Sequence, residues 1–189
     1  MTAPNLDRWL GAPAITVSHQ RRSTASPDHL WDAAQRVTVS QTALLGRLIR
    51  WRIPGTPEGM TLDELFRSPP FLVLHETGHA LVSGLVGRIW TPRRDYPRLA
   101  TADDFLKFAQ RGTARVLFAH WVEATPDGEA VTLASETRVE PIGVQGRVGI
   151  AAVRPLVRAF EHLIGSDGLE AAVRRAEQAE PVRATSIPR

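Results

Sequence analysis

The chain of 189 residues has no cysteine, one tyrosine and, at Lys107, one lysine. Without cysteine there is no disulfide framework, no thiolate metal site and no thiol nucleophile. With a single lysine, positive charge falls to arginine, and the net charge is only +3. The arginines are scattered as pairs, Arg21–Arg22, Arg93–Arg94 and Arg174–Arg175, not gathered into a basic stripe interleaved with aromatics, so no nucleic-acid partner is expected. The start, MTAPNLDRWLGAP, has neither a basic leader nor an apolar core for a signal peptide, which predicts a cytoplasmic protein. No long apolar run exists. The candidate after Phe71 is cut by His75, Glu76 and His79, so no membrane span is expected. G-x-S-x-G, the P-loop and G-x-G-x-x-G are absent, and no cofactor is expected.

What is present is ordinary for a soluble globular chain: 43% hydrophobic and 23% charged residues, in a length that suits one domain with a real core. Residues 1–13 read as a loose arm, 14–180 as a single domain, and 181–189 as a frayed tail. AITVSHQRRSTAS (14–26) alternates like a strand. SPDHLWDAAQ opens a helix, with Ser26 as N-cap, Pro27 in the first turn and Asp28 complementing the dipole. TALLGRLIRWRI (42–53) has a helical apolar period. TLDELFRS (61–68) carries the capping box of Thr61 and Glu64. TADDFLKFAQ (101–110) is a short helix, its Asp103–Asp104 pair set against the dipole. ARVLFAHWVEA and AVTLASETRVE alternate around TPDG (125–128), which predicts a hairpin. From about Gly146 the tail is helical, with Val153, Val157, Phe160 and Ile164 on one stripe and GSDG (165–168) able to kink or split it. Glu161–His162 reads as a solvated pair beside that stripe.

One segment spells a motif. His75-Glu76-Thr77-Gly78-His79 matches H-E-x-x-H, in which two histidines one helical turn apart bind zinc and the glutamate activates the metal-bound water. That chemistry requires a helix. Gly78, Gly84 and Gly87 each cost about 1 kcal/mol there relative to alanine, and Val73, Val82 and Val86 prefer strands. Thr77–Gly78 instead suggests a two-residue turn, pairing Glu76 with His79 and His75 with Ala80 and putting the histidines on opposite faces. The metzincin extension fails, because its positions hold Val82 and Leu85. A zinc peptidase using His75, His79 and Glu76 remains an alternative, distinguished by whether 71–87 is a helix or paired strands.

The element order, with ASPDHLWDAAQ leading into a helix at Trp31, LVSGLVGRIWTP (81–92), LASETRVEP (133–141) and LIGSDGLEAAVRRAE (163–177), resembles the START/polyketide-cyclase (SRPBCC) superfamily, in an uncharacterised bacterial branch. The resemblance spans nearly the whole chain, through motifs that are individually loose. It implies an α+β helix-grip fold: a curved antiparallel sheet wrapped around a long C-terminal helix, with short helices after the first strand. It also implies a cavity between sheet and helix for a small apolar, lipid- or polyketide-like molecule. Lipid carriers, hormone receptors and aromatase/cyclases share that fold, so the fold alone chooses no activity.

Pairing 114–124 with 129–141 across TPDG predicts which residues line such a cavity. Val116, Phe118, His120 and Val122 share a face with Val131, Leu133, Ser135, Thr137 and Val139; from the helix, Val153, Leu156, Val157 and Phe160 face them. The opposite face, with Arg115, Glu123, Glu136, Arg138 and Glu140, reads as solvated, except at Leu117, Ala119 and Trp121. The expected ligand-binding set is Val116, Phe118, His120, Leu133, Ser135, Thr137, Leu156, Val157 and Phe160. Ser135 and Thr137 read first as satisfied sheet hydroxyls. His120 is the candidate acid/base of a cyclase or dehydratase, the alternative to simple binding.

Overall fold

The computed structural model describes residues 2–93, 95–125, 130–160 and 166–179, the side chains of 43–45, 52 and 156–160 excepted. The chain is α+β. Its strands are β1 (Ile15–Ser23), β2 (Leu72–Thr77), β3 (Ala80–Gly87), β4 (Thr113–Ala124) and β5 (Val131–Ile142). They form one open antiparallel sheet in the order β1-β5-β4-β3-β2. The helices are α1 (Pro27–Gln35), α2 (Ala43–Arg52), α3 (Leu62–Arg67), α4 (Ala102–Lys107), α5 (Gly143–Phe160) and α6 (Ser166–Ala179), with a 3-10 turn at Val39–Gln41.

The helix starts follow their caps. Ser26 Oγ accepts from His29 N–H, with Pro27 in the first turn. Thr61 and Glu64 exchange side-chain and backbone bonds in a full capping box, and Thr101 and Asp104 do the same at α4. Each such cap contributes about 1 kcal/mol by satisfying amides that the helix leaves orphaned. The tip of the long hairpin (126–129), the α5–α6 junction (161–165, with Glu161, His162 and Ile164) and 180–189 lie outside the described residues.

The long hairpin puts the expected residues on one face, with Ala124 opposite Val131. Val116 pairs with Val139, Phe118 with Thr137, His120 with Ser135 and Val122 with Leu133. This inner face is covered by helices. At one end Leu30, Trp31, Phe66, Leu169, Ala172 and Ala176 from α1, α3 and α6 pack on Leu81, Val122 and Leu133. At the other, Ile150 of α5 packs with Leu85, Val116 and Val139. There Trp90 lies so close over Gly149 that a Cβ would fall 2.2 Å from its ring. Ionic and polar contacts fasten α6 to β1: Arg21 to Glu170 and Ser23 Oγ to Glu177, at 3.1 and 3.0 Å.

The outer face departs from the expectation of a solvated surface. Leu6, Trp9 and Leu10 of the N-terminal arm and Phe105 of α4 cover Val82, Val86, Leu117, Ala119, Trp121 and Ala134. The arm is therefore packed, not loose. Arg138 holds it by donating to the Leu10 carbonyl at 2.8 Å and to Asp7. The reason is composition: Leu117, Ala119 and Trp121 interrupt the polar alternation, and each fully buried Leu, Val or Phe side chain contributes about 1.5–3 kcal/mol when covered.

The H-E-x-x-H segment is a β2–β3 hairpin, as its glycines and valines predict, but its turn is Gly78–His79 and not Thr77–Gly78. Thr77 pairs with Ala80, Glu76 with Leu81 and His75 with Val82, and the register shifts between Val73 and His75. Moving the turn one residue on leaves Leu81 facing the inner core and frees the His79 ring, whose Nε2 lies 2.7 Å from Asp28 of α1.

Candidate functional site

Antiparallel partners point to the same side of a sheet, so the register draws rows across the inner face. One row runs His19 (β1), Ser135 (β5), His120 (β4), Leu81 (β3) and Glu76 (β2). Its neighbour runs Val17, Thr137, Phe118, Ser83 and Val73. His19, Phe118, His120 and Thr137 are only half-buried, although all but His19 sit on inner strands beneath a helical layer. A side chain in that position keeps exposure only where the layer stands off the sheet. The two inner-face cores meet over this strip through Phe71 and Phe118, which belong to both.

The strip is aromatic with polar interruptions. Phe66 of α3 sits 5.0 Å from the His120 ring and 5.2 Å from Phe118, and Phe71 stands edge-on to Phe66 and Phe118. Among the described residues, three buried polar atoms of this strip have no hydrogen-bond partner: Nε2 of His19, Nε2 of His120 and Oγ of Ser83. Such atoms are few in native interiors, because each carries a desolvation cost of about 1–3 kcal/mol. Burial pushes the His120 imidazole down to about 4, against the opposing influence of the Asp63 carboxylate, so the ring is neutral at neutral pH. Asp63 is itself committed: Arg67 donates to it at 2.8 Å and to Glu76 at 2.7 Å. Arg67 holds the Glu76 carboxyl below its ordinary value.

The structure thus brings Val116, Phe118, His120, Leu133, Ser135 and Thr137 onto one face, as the alternation predicts. Leu156, Val157 and Phe160 belong to α5, but their side chains lie outside the described residues. Val153 is half-buried on that helix. Ser135 is buried between the two histidines in its row. Sequence reasoning singles out neither His19 nor Ser83. Alternation in ITVSHQRRS does put His19 on the face of Ile15 and Val17. Ser83 has no such signal, since every residue of β3 is buried.

His75, Glu76 and His79 do not form the helical arrangement that a shared cation requires. His75 shares the outer face with its partner Val82, whereas His79 reaches α1 on the inner side and Glu76 is held by Arg67. A separate cleft of about 500 Å³ lies at the β1–β5–β4 end, lined by Gln20, Arg22, Glu123, Ala124, Thr125 and Thr132. Arg22 and Glu123 both pair with Thr132, on the outer face, so this cleft is distinct from the aromatic strip.

No family model matches the chain, and no curated protein matches it. Among solved structures, TTHA0849 from Thermus thermophilus is similar with a TM-score of 0.35 at 12% identity, covering 88% of this chain and 100% of its own. The hypothetical protein jhp0584 from Helicobacter pylori gives 0.41 at 13% identity, covering 93% and 99%. MLL2253 from Mesorhizobium loti gives 0.36 at 15% identity, covering 88% and 100%. Likenesses at this level carry neither family nor chemistry to this chain.

Proposed function

We propose that this chain is a START-like helix-grip domain that binds a small, largely apolar molecule against the inner face of its sheet, with His120 supplying the polar contact. One observation carries the reading: half-buried Phe118 and His120 lie on an inner strand among aromatic rings, and His120 Nε2 has no partner. An apolar site with a few convergent polar groups is the usual form of a small-molecule pocket. The same imidazole is poorly suited to the cyclase or dehydratase alternative. Burial favours the neutral ring, which suits a hydrogen-bonding contact better than a proton store.

Native mass spectrometry of the full chain, purified without chelator, tests this. An organic adduct that is lost in His120→Phe supports the site. An adduct matching one zinc ion, lost in His79→Ala, would overturn the reading. If the chain carries no adduct and takes up no apolar probe in titration, the binding proposal fails.

A further inference from the structure

The His120 site accounts for one of three unpartnered polar atoms on the inner face; His19 Nε2 and Ser83 Oγ remain. His19 and His120 both pair with Ser135, so they stand in one row on either side of it. With strands about 4.8 Å apart, the two histidines are separated by roughly two strand spacings, about 10 Å. Ser83 lies in the adjacent row opposite Phe118, diagonal to His120 on its β3 side.

Among the described residues, several charges bordering this face are paired. Arg21 binds Glu170, Arg67 binds Asp63 and Glu76, and Asp28 faces His79. Among the described residues, β4 and β5 contribute no formal charge to the inner face. An ionic ligand would therefore be buried without a counter-charge, which is strongly unfavourable. A neutral imidazole, by contrast, offers one hydrogen-bonding nitrogen at Nε2, as donor or acceptor according to tautomer.

We infer that the inner face recognises its ligand at two points, His19 and His120. The ligand class is then an elongated, uncharged, largely apolar molecule with hydroxyl or carbonyl oxygens about two strand spacings apart, and Ser83 serves as an auxiliary contact beside His120. This rests on the binding reading above and adds a second anchor and a length to it. A one-point site would leave the His19 nitrogen buried without a partner in the bound state as well.

The test uses the full chain and three neutral probes of one shape: biphenyl, para-hydroxybiphenyl and para,para′-dihydroxybiphenyl, titrated by calorimetry. Affinity is expected to rise by about fivefold with each hydroxyl, since a net hydrogen bond is worth about 1 kcal/mol. His19→Phe should flatten the gain from the second hydroxyl, read as the ratio of dihydroxy to monohydroxy affinity within that variant, and His120→Phe should do the same from the other side. The double variant should bind all three probes alike. His19→Gln, which keeps a polar amide near the same place, should retain much of the preference, separating contact from packing. Thermal melts of each variant establish that it is folded. If biphenyl binds but the hydroxyl series is insensitive to either histidine, the two-point inference is overturned and the binding site stands. If no probe binds wild type, the binding proposal falls first and this inference with it.

Discussion

Acid should destabilise this protein through one residue before its carboxylates titrate. In the folded chain His120 takes up its proton only at about pH 4, against 6.5 for an ordinary imidazole, because charging it means burying an ion. Between those values the unfolded chain holds more protons than the folded one. Stability therefore rises with pH across that window and is lost as pH falls from about 6.5 towards 4. Holding the ring neutral down to about 4 corresponds to about 3 kcal/mol, a large part of a typical domain's stability. The assay is urea unfolding followed by tryptophan fluorescence at steps from about pH 7.5 to about pH 4, spanning that window on both sides, on wild type and His120→Phe. Ionisable groups that do not act on His120 are common to both proteins, so their contributions cancel in the difference. The variant should lose about 3 kcal/mol less than wild type over the window, with the largest slope difference about 1 kcal/mol per pH unit midway through it. At the neutral end it should already be the more stable by about 1 kcal/mol, since it replaces an imidazole with an unpartnered buried nitrogen by an apolar ring in the same aromatic cluster. Parallel curves for the two proteins would refute the reasoning.

Other substitutions test separate parts of the structure. Ser83→Ala deletes a buried, unpartnered hydroxyl and should raise the stability of the ligand-free chain by about 1 kcal/mol in chemical denaturation; a clear loss would mean that the hydroxyl is satisfied in solution. Gly78→Ala should be neutral or slightly stabilising by thermal melt, because Gly78 has no positive φ and a Cβ there meets nothing within 4 Å. Gly84→Ala on the same hairpin should cost about 1–3 kcal/mol, since its Cβ would lie 2.6 Å from the fully buried Phe105 ring and 2.8 Å from Leu74. Equal melts for the two glycine variants would contradict the packing of α4 on β3. Leu10→Ala should destabilise by about 3 kcal/mol, as for any leucine 1% exposed in a core; an unchanged denaturation midpoint would return the arm to the status of a loose segment.

The parts of this fold that sequence reveals are those dictated by neighbours along the chain. Caps at Ser26 and Thr61 act over three residues, and a period of two in ARVLFAHWVEA acts within one strand. Both are legible, and so is the face shared by Val116, Phe118, His120, Ser135 and Thr137. What sequence misses is set by contacts distant along the chain. Leu117, Ala119 and Trp121 stand out as apolar exceptions on the outer face, but nothing near them announces that Leu6, Trp9 and Leu10 will be their cover. The β2–β3 turn reads one residue early for the same reason. Thr77–Gly78 looks like the better turn locally, but Asp28, 51 residues upstream, receives His79, and Leu81 is held inward by the α1–α3–α6 core.

The same distinction decides the site. The H-E-x-x-H string gathers three chemically potent residues within five positions, and the hairpin separates them: His75 to the outer face, Glu76 to Arg67, His79 to Asp28. His19, Ser135 and His120 are more than a hundred residues apart at their extremes, and antiparallel pairing puts them in one row. A sheet of this order makes spacing along the chain a poor guide to chemistry. Parity is the better guide. Two residues act together when their strands are neighbours and their register places them on the same face, and that information resides in the pairing of β1, β5 and β4.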